Sequence, residues 1–269
     1  MSASKRVSKK VKPVGIVEVL TNGEIEIEGR LVEASNTTLR GVATLNGVSL
    51  MCVYKPRQGE RPLWDFAEGT LGFREIATYR IAEALSWNCV PTTVWRESGP
   101  LGEGMCQLWI DPTPESVVDI VPRDEVPVGW RHIVDAEDQA GRPVSLIHAD
   151  TPELQRLAIL DAITNNTDRK GGHILVDALG GIFGIDHGVC FHHEDKLRTV
   201  LWGWIGEPIP ADIVTALHSI RSQIVDGLLD VWLTVTEIDA TTARIDRLLE
   251  SGTFPSPTGA WPPLPWPAF

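Results

Sequence analysis

The stretch from Ile163 to Gly188, ITNNTDRKGGHILVDALGGIFGIDHG, constrains the chain more than any other. Asp168 and Asp186 each follow what reads as a strand end or tight turn, and between them lie Lys170, the Gly171-Gly172 pair and a lone His173. Two carboxylates and a cation around flexible backbone are the parts of a metal-phosphate site. One carboxylate holds a metal ion, a second orients a hydroxyl, and the cation balances phosphate charge. Asp186, Asp168 and Lys170 fit these three roles, provided the rest of the chain supplies a nucleotide pocket.

The N-terminal third has the material for one. From residue 15 to 56 apolar residues alternate with the period of strands: Ile16, Val17 and Val19, then Ile25 and Ile27 after Asn22-Gly23, then Leu31 and Val32, and Val42 to Tyr54 around Asn46-Gly47. This predicts an antiparallel sheet. Ser35, Asn36, Thr37 and Thr38 interrupt it as a polar hairpin tip, whose N–H groups and hydroxyls could cradle phosphates or simply face water. Lys55 ends the strand SLMCVYK. Residues 71–86 then carry Phe73, Ala77, Ile81 and Ala84 at helical intervals, with Glu75 off that stripe and Glu83 a competing carboxylate on the same helix. A strand lysine paired with a helix carboxylate is the ion pair that holds nucleotide phosphates in kinase-type sites.

Further along, Met105 to Ile110 predicts a strand leaving the first lobe, where extended backbone at Gln107, Leu108 and Trp109 could read an adenine ring. Residues 111–150, rich in Asp, Glu, Pro and Gly, predict an irregular connection. Thr151 and Pro152 announce a core helix that delivers the 163–188 stretch, and two more helices follow, around Ile213–Ile224 and behind a Thr236 cap. From Thr253 onward six prolines exclude helix and central strand, and Trp261, Trp266 and Phe269 favour an extended arm packed on the body over a ligand for a partner.

A net charge of −12 repels phosphate backbones, so a nucleic-acid partner is not expected. Lys5, Arg6, Lys9, Lys10 and Lys12 read as a solvated tail over residues 1–14. No run approaches the roughly 18 apolar residues of a membrane span, and no signal peptide opens the chain, which predicts a cytoplasmic protein and leaves peripheral membrane contact open. Cys52, Cys89, Cys106 and Cys190 have no paired spacing and predict free thiols, and the His192-His193 pair beside Cys190 lacks a second ligand pair for zinc.

NNTDRKGGH followed by GIDHG resembles the catalytic loop and metal motif of the phosphoinositide 3- and 4-kinase-like superfamily, in the manner of compact bacterial members, type II phosphatidylinositol 4-kinases and HipA-type kinases. VYKP at Lys55, FREIATYRIAEAL with Glu75, NCVPTT and QLWI extend the likeness through most of residues 30–205. The resemblance implies a two-lobed, protein-kinase-like α+β fold. Its antiparallel-sheet N-lobe would span 15–110, its mainly helical C-lobe 111–252, and a Pro/Trp-rich tail 253–269. It implies ATP with Mg²⁺, or Mn²⁺, as cofactors, and an unidentified hydroxyl-bearing acceptor: protein Ser/Thr, including the chain's own, or a polyol such as an inositol head group. Lys55 would touch the phosphates, Glu75 orient Lys55, Asp168 act as catalytic aspartate and Asp186 bind metal. Two positions depart from the family: His173 stands where the second metal ligand is usually Asn, and His187 where Phe is usual. These departures keep a nucleotide-binding pseudokinase or regulatory scaffold as the alternative.

Overall fold

The computed structural model describes residues 14–31, 36–61, 63–66, 71–259 and 261–269. The basic residues of the N-terminal tail and Ser35 lie outside these. The first described element is a helix, α1 (Ile16–Asn22), where alternation predicts a strand. The reason lies far away in sequence: buried Arg96 donates through Nη1 to Leu20 O and through Nη2 to Gly23 O at 2.7 Å, satisfying carbonyls that a short helix leaves unpaired at its end. Val19 and Leu20 are fully buried beneath it.

The strands β1 (Glu24–Arg30), β2 (Leu39–Leu45) and β3 (Val48–Pro56) follow, then helix α2 (Leu71–Ala84), β4 (Thr93–Arg96) and β5 (Gly104–Leu108). They form one antiparallel sheet in the order β1-β2-β3-β5-β4. The β2–β3 hairpin closes through Asn46 at φ 50° and Gly47 at φ 81°, left-handed positions that Asn and Gly tolerate and that match the strand twist. In β3 the period of two sends Cys52, Tyr54 and Pro56 into the core and turns Val53 and Lys55 to the other face.

The second lobe departs from expectation first. Residues 111–150 are not irregular: β6 (Val118–Pro122), β7 (Trp130–Glu137) and β8 (Pro143–Ala149) form a three-stranded antiparallel sheet ordered β6-β8-β7. Buried His148 fixes it to the body, since Nδ1 donates to Ala149 O at 2.8 Å and Nε2 accepts from Gly203 N at 3.0 Å. Helix α3 (Pro152–Thr164) starts as expected, Thr151 Oγ1 accepting from Leu154 N, and stops at Asn165 in the left-handed region, φ 52°. The short strands β9 (Ile174–Val176) and β10 (Ile182–Gly184) make a hairpin. Helices α4 (Ala211–Val225) and α5 (Val235–Ser251) complete the lobe. The cap of α5 is Thr234 rather than Thr236: Thr234 and Glu237 form a reciprocal capping box, a spacing Thr236 cannot offer.

The expected two-lobed, protein-kinase-like α+β architecture is therefore present, with a sheet added to the second lobe. Its main core joins α2 to α3, α4 and α5, and a smaller one fills the first lobe beneath α1. Residues 261–269 pack along the second lobe, Leu264 and Ala268 against the main core. All four cysteines are buried and free. No described helix is long and apolar enough to cross a membrane.

Candidate functional site

Lys55 emerges from β3 into the space between the lobes and meets two carboxylates. Its Nζ lies 2.5 Å from Glu75 Oε1 and 2.9 Å from Asp186 Oδ1. Glu75, 1 % exposed on α2, uses its other oxygen to accept from His187 N at 3.1 Å. Burial disfavours the Lys55 ammonium, but Asp186 and Glu75 outweigh it and hold the lysine protonated beyond its ordinary range. Reciprocally, the Lys55 charge, opposed by burial and aided by His173, holds the Asp186 carboxyl well below the usual carboxylate range. Asp186 takes a left-handed backbone, φ 59°, a conformation Asp tolerates better than most residues. Its Oδ1 faces Lys55, and its side chain is 52 % exposed.

The loop after α3 is built on two buried asparagines. Asn165 donates to His192 O at 2.9 Å and Glu194 O at 2.6 Å and accepts from Lys196 N at 2.9 Å, which fastens the segment after Gly188. Asn166 accepts from Asp168 N at 2.9 Å and donates to Asp161 Oδ1 at 3.0 Å, which fixes the direction of Asp168. Lys170 Nζ lies 3.3 Å from Asp168 Oδ2.

At the centre is Arg169, fully buried against fully buried Asp161, with Nη2 2.9 Å from Asp161 Oδ1. Its Nη1 donates to His173 O at 3.2 Å and Ile185 O at 2.9 Å, and its Nη2 to His187 Nε2 at 2.6 Å. One guanidinium thus ties the Asp168 loop to the residue before Asp186. Sequence reasoning missed Arg169 and Asp161. The signal was an acid inside the apolar run LAILDAI, since a charge in a core helix requires a partner.

His173 donates from Nδ1 to Asp168 O at 3.0 Å, a carbonyl that can only accept. Burial lowers its pKa, favouring the neutral ring, whose remaining lone pair is then on Nε2. That nitrogen faces Asp186 Oδ2 at 3.7 Å. Two electron-pair donors so disposed fit a shared cation, and a divalent ion suits this pair. Among the described residues no cluster of three or more His, Cys, Asp or Glu forms a complete metal cage, so such an ion would need further oxygens from a ligand.

Asn36, Lys55, Gln107, Leu108, Trp109, Asp168, Lys170, His173 and Asp186 all line one cleft of about 700 Å³. Thr37 and Glu75 line a smaller recess beside it, of about 90 Å³, which Lys55, Asp168 and Asp186 share. Asn36 and Thr37 also brace the loop after β3: Asn36 Oδ1 accepts from Arg61 N at 2.9 Å and Thr37 N donates to Gly59 O at 3.2 Å. At the cleft wall the Gln107 side chain donates to Thr93 Oγ1 at 2.8 Å. The Leu108 and Trp109 amides donate to Thr92 O at 2.8 Å and Met51 O at 3.0 Å.

No known family model matches the chain. Phosphatidylinositol 4-kinase gamma 7 of Arabidopsis thaliana is 30% identical over 153 residues, spanning 52% of this chain but only 22% of that protein. The crystal structure of the Helicobacter pylori proinflammatory kinase CtkA aligns over 87% of this chain and 94% of that one, at 12% identity and a TM-score of 0.46. Protein Rv2133c of Mycobacterium tuberculosis (strain ATCC 25618 / H37Rv) is 44% identical over 264 residues, 93% of this chain and 94% of that protein. With that identity sustained over nearly the whole length of both, the chain belongs to the family of Rv2133c.

Proposed function

We propose that this protein is a phosphotransferase that binds ATP with a divalent cation in the cleft and moves the γ-phosphoryl group to a hydroxyl. The observation that carries this reading is the Lys55 ammonium held between Glu75 and Asp186. A half-buried lysine spanning two carboxylates from different lobes has a fixed position and charge, as contact with nucleotide phosphates requires. Lys55 would bind phosphate oxygens, and Glu75 would keep its ammonium aimed. The Gln107–Trp109 wall would flank the adenine, where the engaged amides of Leu108 and Trp109 favour contact through the ring face. Asp186 Oδ2 and His173 Nε2 would hold the cation, which when bound neutralises charge on the phosphates.

Asp168 would accept the proton of the acceptor hydroxyl as the new O–P bond forms and the bond from the γ-phosphorus to the bridging oxygen breaks, ADP leaving with that bond's electron pair. Lys170, next to the Asp168 carboxylate, would balance charge on the transferred phosphoryl oxygens. Titration calorimetry with ATP and Mn²⁺ or Mg²⁺ should give saturable binding, and labelled ATP should show transfer or turnover that Asp186→Asn abolishes. Silence of wild type and variant alike while ATP still binds would sink the enzyme reading.

A nucleotide-binding pseudokinase or scaffold is the second reading, and His173 is the observation that favours it. An imidazole is a poorer Mg²⁺ ligand than an amide oxygen. ATP binding that persists in EDTA, with no turnover on any acceptor, would select it.

A further inference from the structure

Segment 261–269 lies against the loop that carries Asp168 and Lys170. Pro263 O accepts from Thr199 N at 3.1 Å and from Trp202 Nε1 at 2.8 Å. Residues 198–200 are in turn paired with that loop, Arg169 N donating to Arg198 O at 3.0 Å and Val200 N to Arg169 O at 3.1 Å. Further on, Ala268 O accepts from Gly171 N at 2.8 Å, and the Phe269 ring rests on Gly171 so closely that a Cβ there would lie 2.7 Å from its Cδ1. The Gly171 backbone is not left-handed, so glycine serves close approach here rather than an unusual φ. At the other end, Trp261 and Trp64 enclose buried Lys196, whose Nζ is 4.7 and 5.0 Å from their ring centres, and Trp64 sits in the loop between β3 and α2.

The strap therefore touches both lobes and terminates its contacts one residue from Lys170. Its grip there is light: Phe269 remains 46 % exposed and Trp266 88 %. A proline-rich extended backbone has no internal hydrogen bonds and offers its carbonyls outward. The loop meets it with one N–H and a flat patch of glycine backbone, the features needed to seat an extended peptide bearing a ring.

Resting on the phosphotransferase reading, we propose that the surface on Gly171 beside Asp168 and Lys170 docks the acceptor, that this acceptor is an extended polypeptide with an aromatic residue near its hydroxyl, and that residues 261–269 occupy the site until displaced. A small polyol supplies neither the backbone carbonyl nor the ring. A strap seated about nine-tenths of the time lowers the apparent affinity for a competing peptide about tenfold.

The test uses the full chain and its Phe269→Ala and Trp261→Ala variants, with ATP·Mn²⁺, and dephosphorylated casein and myo-inositol as acceptors. Expected are a rise of about tenfold in transfer to casein at low casein concentration, transfer to myo-inositol unchanged, and ATP affinity unchanged. Faster exchange of the Gly171 amide in Phe269→Ala verifies that the strap has lifted. Casein transfer that stays level, falls or is absent in every protein while ATP binds and Gly171 exchange rises overturns the proposal. An equal rise with myo-inositol overturns the polypeptide assignment. A wild-type chain that binds no ATP removes the phosphotransferase reading itself.

Discussion

Arg169→Met removes the cation from the most deeply buried ion pair near the site. Arg169 and Asp161 are both fully buried, and the substitution keeps an unbranched apolar stem while leaving the Asp161 carboxylate without its counter-charge. Breaking a buried pair from one side costs about 3–5 kcal/mol. Asp161 keeps Asn166 Nδ2 at 3.0 Å and Thr199 Oγ1 at 3.2 Å, which pulls toward the lower figure. Against that, the Ile185 carbonyl and His187 Nε2 lose their donor, at about 1 kcal/mol or more each, while the His173 carbonyl keeps Ile185 N at 3.0 Å. A loss of about 4 kcal/mol is expected. At about 2–4 °C per kcal/mol for a chain of this size, Tm falls by about 8–16 °C. Calorimetry and urea unfolding measure both quantities. Asp161→Leu combined with Arg169→Met should recover about 2 kcal/mol of the loss, because an apolar pair no longer buries a lone charge. A single variant that loses under about 1 kcal/mol, or a double variant no more stable than the single, would refute this account of Arg169.

Lys55→Met should weaken ATP binding about ten- to hundredfold by titration calorimetry, since a charged hydrogen bond contributes about 1.5–3 kcal/mol. His148 is buried with its pKa pushed down to about 4, chiefly by desolvation, so between its unfolded value and about 4 the unfolded chain binds the extra proton and acid destabilises the fold. Taking the pH from about 7 to about 5 should cost about 2 kcal/mol through this group, and His148→Asn should remove that part of the slope in urea titrations at the two pH values. His173→Asn replaces a nitrogen ligand with an amide oxygen and should shift the metal preference of ATP binding from Mn²⁺ toward Mg²⁺, an unchanged preference counting against His173 as a ligand.

What the sequence made legible were features written locally. The β2–β3 hairpin follows from alternation around Asn46-Gly47, and the start of α3 from Thr151-Pro152. Asn22-Gly23 looks the same as a turn signal, yet Gly23 lies at φ −65° as a helix end, because the determining residue is Arg96 on another element. The β6-β8-β7 sheet was hidden for a different reason. Every residue of β7 is partly or wholly exposed and β6 buries only Val118, so neither outer strand has an apolar face, and β8 alone carries a buried run. Lys55, Glu75, Asp168 and Asp186 were singled out because their order resembles a known pattern, and the structure brings all four to one recess. Arg169 was not, since in sequence an arginine beside an aspartate and a lysine reads as solvated surface.

The two histidines that depart from the phosphoinositide-kinase-like pattern the sequence resembles are not equal evidence about activity. His187 is fully buried, its Nε2 accepts from Arg169, and its N–H reaches Glu75 Oε2. Burial and the Arg169 charge push its pKa far down, so it is a neutral ring inside the scaffold and its occupied nitrogen has no lone pair to offer a metal. Its ring, where Phe is usual, takes a hydrogen bond from Arg169 that Phe could not, while its backbone N–H, which any residue supplies, reaches Glu75. His173 has the opposite arrangement. Its Nδ1 is spent on Asp168 O, and the nitrogen left over looks across 3.7 Å at the free oxygen of Asp186. On the proposed phosphotransferase reading, the choice between transferring phosphate and only holding a nucleotide therefore turns on what sits between those two atoms, and His187 carries no weight in that decision.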